Sequence, residues 1–147
     1  MTGRAFVDTN VLVYAFDTAE PAKRAIALEL LGSDLQLVVS TQVLGEFFVA
    51  VTRKLATPLP VERAKEAISE LVRIPTVLVD ATLVLAAVDT AHAHQLSYWD
   101  AQIVEAAATA GCERLLTEDL ADGATLRGVR IENPFAAAGP PPTPRPG

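Results

Sequence analysis

Arg4-Ala5-Phe6-Val7-Asp8 is a short apolar run that stops on an acid. It reads as a buried strand over residues 4–7, with Asp8 at its carboxyl end. Residues 10–16 read as a short helix or turn behind it. Pro21 opens a helix over 21–31, and Gly32 ends it. A second strand follows at 35–39, and Ser40 or Thr41 caps a helix running to about residue 55.

Thr57-Pro58-Leu59-Pro60 breaks the chain. Val61, Ala64, Ala67, Ile68 and Leu71 share one face of a helix over 61–72. After Pro75 come a strand at 76–79 and an alanine-rich helix at 81–95. Ser97 caps a helix over 98–110, which Gly111 terminates, and further strands fall at 114–117 and 129–131. Strands that alternate with helices predict an α/β fold. The expected form is a three-layer α/β/α sandwich with a mostly parallel central sheet of four to five strands. Residues 1–135 form the expected domain; Pro140, Pro141, Pro142, Pro144 and Pro146 mark 136–147 as a disordered or extended tail.

Half of the 147 residues are hydrophobic and 20% are charged, a globular composition with enough apolar side chains for one core. Cys112 is the only cysteine, which rules out an internal disulfide and fits a reducing, cytoplasmic setting. No secretory leader and no bilayer-spanning apolar run is read, so no membrane role is expected. The net charge of −6 argues against loose binding of nucleic acid by the surface as a whole. It leaves open an acidic cluster that cations neutralise.

Four acids converge on one edge in this reading. Asp8 ends the first strand, and Asp119 lies just beyond the strand at 114–117. Glu46 lies in the second turn of a helix that starts where the second strand ends. Asp100 lies in the first turn of a helix feeding a parallel strand, and such a helix starts at the same edge. Glu46 has Val43, Val49 and Ala50 at helical spacing, and Asp100 has Ile103 and Val104. Carboxylates on apolar faces are costly to bury without a counter-charge, and a cation supplies one. Gly45 is expected to leave room beside Glu46. Each acid also has an ordinary structural role open to it: Asp8 as a helix cap, Asp100 at a helix start, Asp119 in a turn with Asp122 and Gly123.

An all-oxygen donor set selects Mg²⁺ or Mn²⁺ over zinc, and such ions support in-line displacement at phosphorus. No histidine base is then needed. His92 and His94 stand two apart on a helix and point to different sides. Cys112 has no evident base partner, and Trp99 reads as a packed aromatic. A phosphatase with an aspartyl-phosphate intermediate is disfavoured, because Asn10 stands where its second aspartate belongs. A dinucleotide-binding domain is disfavoured by the missing glycine-rich turn.

The run Val7-Asp8-Thr9-Asn10-Val11-Leu12-Val13-Tyr14-Ala15 resembles the opening of PIN domains. Ser40-Thr41-Gln42-Val43-Leu44-Gly45-Glu46-Phe47, Ser97-Tyr98-Trp99-Asp100-Ala101 and Leu116-Thr117-Glu118-Asp119-Leu120 are similar to that family's later motifs, in order. Within the family, the chain most resembles VapC-like toxins of type II toxin–antitoxin pairs. The resemblance implies a PIN-like sandwich and a Mg²⁺- or Mn²⁺-dependent endoribonuclease. It implies an RNA substrate, a cognate antitoxin and a homodimer. It assigns Asp8, Glu46, Asp100 and Asp119 as catalytic and metal-binding acids, with Thr9, Asn10 and Thr117 in support. The alternatives are a housekeeping RNA- or DNA-processing nuclease of the same family and an inactive PIN-like binding module. The proline-rich tail departs from the pattern.

Overall fold

A computed structural model describes residues 3–137. Strand β1 (Arg4–Val7) is central. It pairs in parallel with β2 (Gln36–Ser40) on one side and β4 (Arg114–Leu116) on the other. Ala5, Phe6 and Val7 are at most 1% exposed, so both faces of β1 are covered. That is why the strand reads as an unbroken apolar run instead of an alternating one. With β3 (Thr76–Val77), β5 (Thr125–Leu126) and β6 (Val129–Glu132), the sheet order is β3-β2-β1-β4-β6-β5.

The chain steps outward from β1 to β2 to β3 through α1 (Thr9–Tyr14), α2 (Pro21–Leu31), α3 (Thr41–Arg53) and α4 (Val61–Leu71). It then returns across the sheet through α5 (Ala81–His94) and α6 (Tyr98–Thr109) to β4, on the far side of β1. Right-handed crossovers therefore place α1 to α4 on one face and α5 with α6 on the other. The packing agrees: α3 contacts α1 and α4, α1 contacts α2, and α5 pairs closely with α6. The three-layer sandwich expected from the sequence is the one observed. Fully buried Phe47 on α3 meets Phe16 edge to face at 5.4 Å, sealing α3 onto the turn after α1.

The helix caps are those the sequence offers. Ser40 Oγ accepts from the Val43 amide at 3.2 Å, and Ser97 Oγ accepts from the Asp100 amide at 3.1 Å. Thr41 turns away from the cap and accepts from the Val79 amide at 3.2 Å. β3 has two residues instead of the expected four, because its partner β2 ends at Ser40, opposite Val77, and Val79 lies past that end. Val61 lies outside the buried face assigned to it, at 56% exposure, because it is the first residue of α4.

The sheet has six strands instead of four to five. The addition is β5, antiparallel to β6 through Leu126 and Val129. Arg127 and Gly128 close this hairpin at φ +52° and +77°, both left-handed, as a two-residue turn of matching twist requires. Glu105 Oε2 accepts from Arg127 Nε at 2.9 Å and holds a non-glycine residue in that conformation. The packed chain continues to Phe135, which is fully buried and meets Tyr14 at 4.8 Å between ring centroids. The tail expectation, from residue 138 onward, lies outside the described residues. Among the described residues, no helix is long and apolar enough to cross a membrane.

Candidate metal-binding crevice

The order of strands changes direction between β1 and β4: the chain winds one way from β1 to β3, then the other way from β4 to β6. Open α/β sheets form a crevice at such a point, beyond the carboxyl ends of the two strands. Asp8 and Thr117 are the residues that follow those ends. The Asp8 amide donates to Leu116 O at 3.0 Å and extends the β1–β4 ladder by one residue into the crevice.

Asp8 is 1% exposed and caps α1, with Oδ1 accepting from the Thr9 amide at 2.7 Å. Its other oxygen, Oδ2, accepts from Thr117 Oγ1 at 2.8 Å. The same hydroxyl accepts from Asn10 Nδ2 at 3.3 Å and from the Asp119 amide at 3.0 Å. A hydroxyl has one proton to donate and two lone pairs to accept with. All three are used, so the direction of the Thr117 O–H bond is determined. One buried side chain thereby ties Asp8, Asn10 and the backbone of Asp119 together.

Glu46 reaches the same edge through α3, whose N-cap Ser40 is also the last residue of β2; it is half-buried. Asp100, 8% exposed, sits in the first turn of α6, which feeds β4 and so begins at the edge where β1 ends. Asp119 is half-buried. Direct hydrogen bonds thus join Asp8, Asn10, Thr117 and Asp119, while Glu46 and Asp100 are carried to that edge by their helices. Gly45 has open space around it, as room beside Glu46 requires, but the packing of the chain does not demand a glycine there. It is exposed, and a Cβ there would meet nothing within 4 Å.

Sequence reasoning gave no role to Lys23, Glu118 or Tyr14. Lys23 and Glu118 are each 5% exposed and form an ion pair at 3.3 Å behind the crevice, and the Tyr14 hydroxyl donates to Glu118. A glutamate directly after an apolar strand reads as the start of a solvated loop, so only its partners reveal it. Burial, and then the adjacent Glu118 carboxylate, push the Tyr14 hydroxyl above its ordinary range, so it stays protonated as a donor. Cys112 is 5% exposed, and burial pushes its thiol up to about 11 against the opposing pull of Arg4, which leaves little thiolate for chemistry. His92 and His94 are exposed. Trp99 is more open than a packed aromatic, 42% exposed, with its ring edge-on to Tyr98 at 5.0 Å.

Among the described residues, no three His, Cys, Asp or Glu side chains stand as a ready-made metal cage. The donor set fits a hard cation in kind, since every acid at the edge offers carboxylate oxygen. Two buried polar atoms beside Asp8, Thr9 Oγ1 and Asn10 Oδ1, have no hydrogen-bond partner. Gln102 Oε1 and Arg114 Nη2 are unpartnered likewise, so such atoms are not confined to the acidic edge; the two beside Asp8 are compatible with water or a hydrated ion there.

Fold and site together define a doubly wound α/β protein with an oxygen-rich acidic crevice at its switch point. The chain belongs to the PIN domain family, whose model matches residues 5–121 and so spans all four acids. No curated protein matches the sequence. Among solved structures, the chain is similar to a toxin–antitoxin complex from Klebsiella pneumoniae, with TM-score 0.67 and 20% identity over 89% of this chain and 98% of that one. It is also similar to VapC20 of Mycobacterium tuberculosis, described as a toxin cleaving the sarcin–ricin loop. That match has TM-score 0.61 and 23% identity over 76% of this chain and 86% of the other. A third is VapBC2 from Rickettsia felis bound to a promoter DNA fragment, with TM-score 0.60 and 18% identity over 88% and 98% of the respective chains. At these identities the likeness is one of fold.

Proposed function

We propose that this protein is a divalent-metal-dependent endoribonuclease and the toxin of a type II toxin–antitoxin pair. The observation that carries the nuclease reading is the Thr117 hub, which organises Asp8, Asn10 and Asp119 at the switch-point edge of a PIN fold. The toxin reading is supported by the solved structures of like fold, which include a toxin–antitoxin complex and a toxin described as cleaving the sarcin–ricin loop. A cognate antitoxin and a second copy of the chain are the partners this reading carries, and the cytoplasm is its setting.

In this reading Asp8, Glu46, Asp100 and Asp119 hold Mg²⁺ or Mn²⁺. When bound, the ion offsets charge developing on the phosphoryl oxygens and makes water acidic enough to attack at neutral pH. The chain's own residues supply position. The Thr9 amide and the Thr117 hydroxyl each hold one oxygen of Asp8, which locks the carboxylate's rotamer. Asn10 and the Asp119 amide converge on the same hydroxyl, so the loop after β4 and the start of α1 hold a common frame. A preorganised frame of this kind costs little reorganisation when substrate arrives.

Purified protein with total RNA tests the chemistry. Internal cleavage is expected with Mg²⁺ or Mn²⁺ and none in excess EDTA, with 5′-phosphate and 3′-hydroxyl ends. Cleavage that persists in EDTA, or 2′,3′-cyclic phosphate ends, contradicts metal-assisted attack by water. Protein that binds metal but leaves RNA and DNA intact points instead to an inactive binding module.

The toxin role has its own test. Induction of the wild-type chain is expected to slow growth, and co-expression of the small protein encoded beside it to restore growth. Equal growth of cells making wild type and an Asp8→Asn variant, at equal soluble levels, counts against the toxin role and leaves the nuclease reading standing.

A further inference from the structure

α1 has only six residues, too few to hold its shape or direction by itself. Yet it carries Asn10 in its first turn and is capped by Asp8. Its two ends lie about 9 Å apart at the helical rise per residue. The first end is tied to Thr117 through Asp8 and Asn10. The last residue, Tyr14, is tied to the very next position of the chain, Glu118, by its hydroxyl. Lys23, from the first turn of α2, closes the arrangement. Its Nζ lies 3.3 Å from Glu118 Oε2, 3.2 Å from Tyr14 Oη and 4.9 Å from the centre of the Tyr14 ring. Phe135 meets the same ring edge to face at 4.8 Å between centroids.

Fully buried Val11 and Leu12 already pack α1 into the core and against α3, which fixes its position more firmly than its rotation and register along its own axis. Polar ties at both ends, to consecutive residues where the chain bends after β4, add that register to the packing. Such a buried ion pair adds little net stability over apolar residues of the same size. Its placement between Thr117 and Asp119 therefore calls for a role other than stability.

We propose that Lys23, Glu118 and Tyr14 form a positioning clasp that locks α1 to the segment 117–119 and so sets the separation of Asp8 from Asp119. None of the three touches substrate; they act through the two acids. The clasp rests on the nuclease reading only in what that separation is for, which is to present two carboxylates to one ion.

The test uses the full chain and three variants. Tyr14→Phe keeps the ring with its Lys23 and Phe135 contacts and removes the hydroxyl, and with it the bonds to Glu118 and from Lys23. Glu118→Gln keeps the shape and removes the charge. Lys23→Arg keeps the charge and a donor, and is the rescue variant. Amide exchange needs no metal. In Tyr14→Phe, exchange across Thr9–Tyr14 is expected to quicken at least tenfold while β1 is unchanged; unchanged exchange there overturns the clasp. Mn²⁺ titration by calorimetry reads the consequence. Tyr14→Phe and Glu118→Gln are expected to weaken Mn²⁺ binding by about 10–100-fold, the usual loss for residues that orient a metal ligand, with Lys23→Arg near wild type. Binding within about twofold of wild type in Tyr14→Phe, despite faster exchange, overturns the positioning role, because a merely structural bond does not move metal affinity. A Glu118→Gln chain that fails to fold leaves Tyr14→Phe to decide. Wild type that binds no Mn²⁺ refutes the metal reading, and the clasp then stands or falls on exchange alone.

Discussion

Asp8→Asn is expected to fold and to lose more than about 100-fold of metal-dependent RNA cleavage, beyond the upper end of what residues behind a metal ligand cost. Asparagine is close to isosteric and is as good a helix cap as aspartate. It is not innocent, however. Its amide must face either the Thr9 amide or the Thr117 hydroxyl, and both are donors toward the wild-type carboxylate. One buried donor is left facing another, at a cost of about 1–3 kcal/mol. Melting should therefore fall by roughly 2–12 °C, since each kcal/mol moves a domain near this size by 2–4 °C. Cleavage and melting measured on the same preparation separate the effects. Cleavage within tenfold of wild type means that Asp8 is a cap and ladder residue only.

Thr117→Val is expected to lower the melting temperature by roughly 6–12 °C, for a loss of about 3 kcal/mol. Valine matches the shape of threonine and has no hydroxyl. The change leaves Asp8 Oδ2 without its donor, and the Asn10 side-chain amide and the Asp119 backbone amide without their acceptor, at a position that is 0% exposed. Losses at one hub are not additive, so the total falls short of three separate bonds. Cleavage should fall by about 10–100-fold as Asp8 and Asp119 lose their common reference. Thr117→Ser keeps the oxygen and gives up one methyl, and should stay within about 1 kcal/mol of wild type. If valine melts with serine and cleaves as well, the hub does not organise the crevice.

Most elements were legible because their signals are local. Residues 4–7 are an apolar run with an acid at the end, 21–31 lie between a proline and a glycine, and serines 40 and 97 occupy N-cap positions. β5 was not legible: two residues carry no period, and its turn has Arg127 where glycine or asparagine is the usual signal. Nor was the exposure of Gly45, since helical spacing says which residues share a face but not whether another element covers it.

The four acids were expected at the crevice from their positions relative to strand ends and helix starts, whereas Thr9, Asn10 and Thr117 were picked out only by resemblance to the family's motifs. Lys23 and Glu118 were not legible, because a charged side chain in sequence reads as solvated until a buried partner is seen.

By itself, then, the sequence determined the class of fold, the elements other than β5 and the edge at which each acid was expected. All of these follow from periodicity, caps and the rule that a helix feeding a parallel strand starts where its neighbours end. The tertiary structure decided that β1 lies beside β4. That pairing makes the switch point, brings Thr117 to Asp8 across 109 positions and turns Glu118 onto Lys23 across 95. Strand order is a choice among non-local pairings whose apolar runs are interchangeable in composition, and only the packing of helices on both faces selects among them.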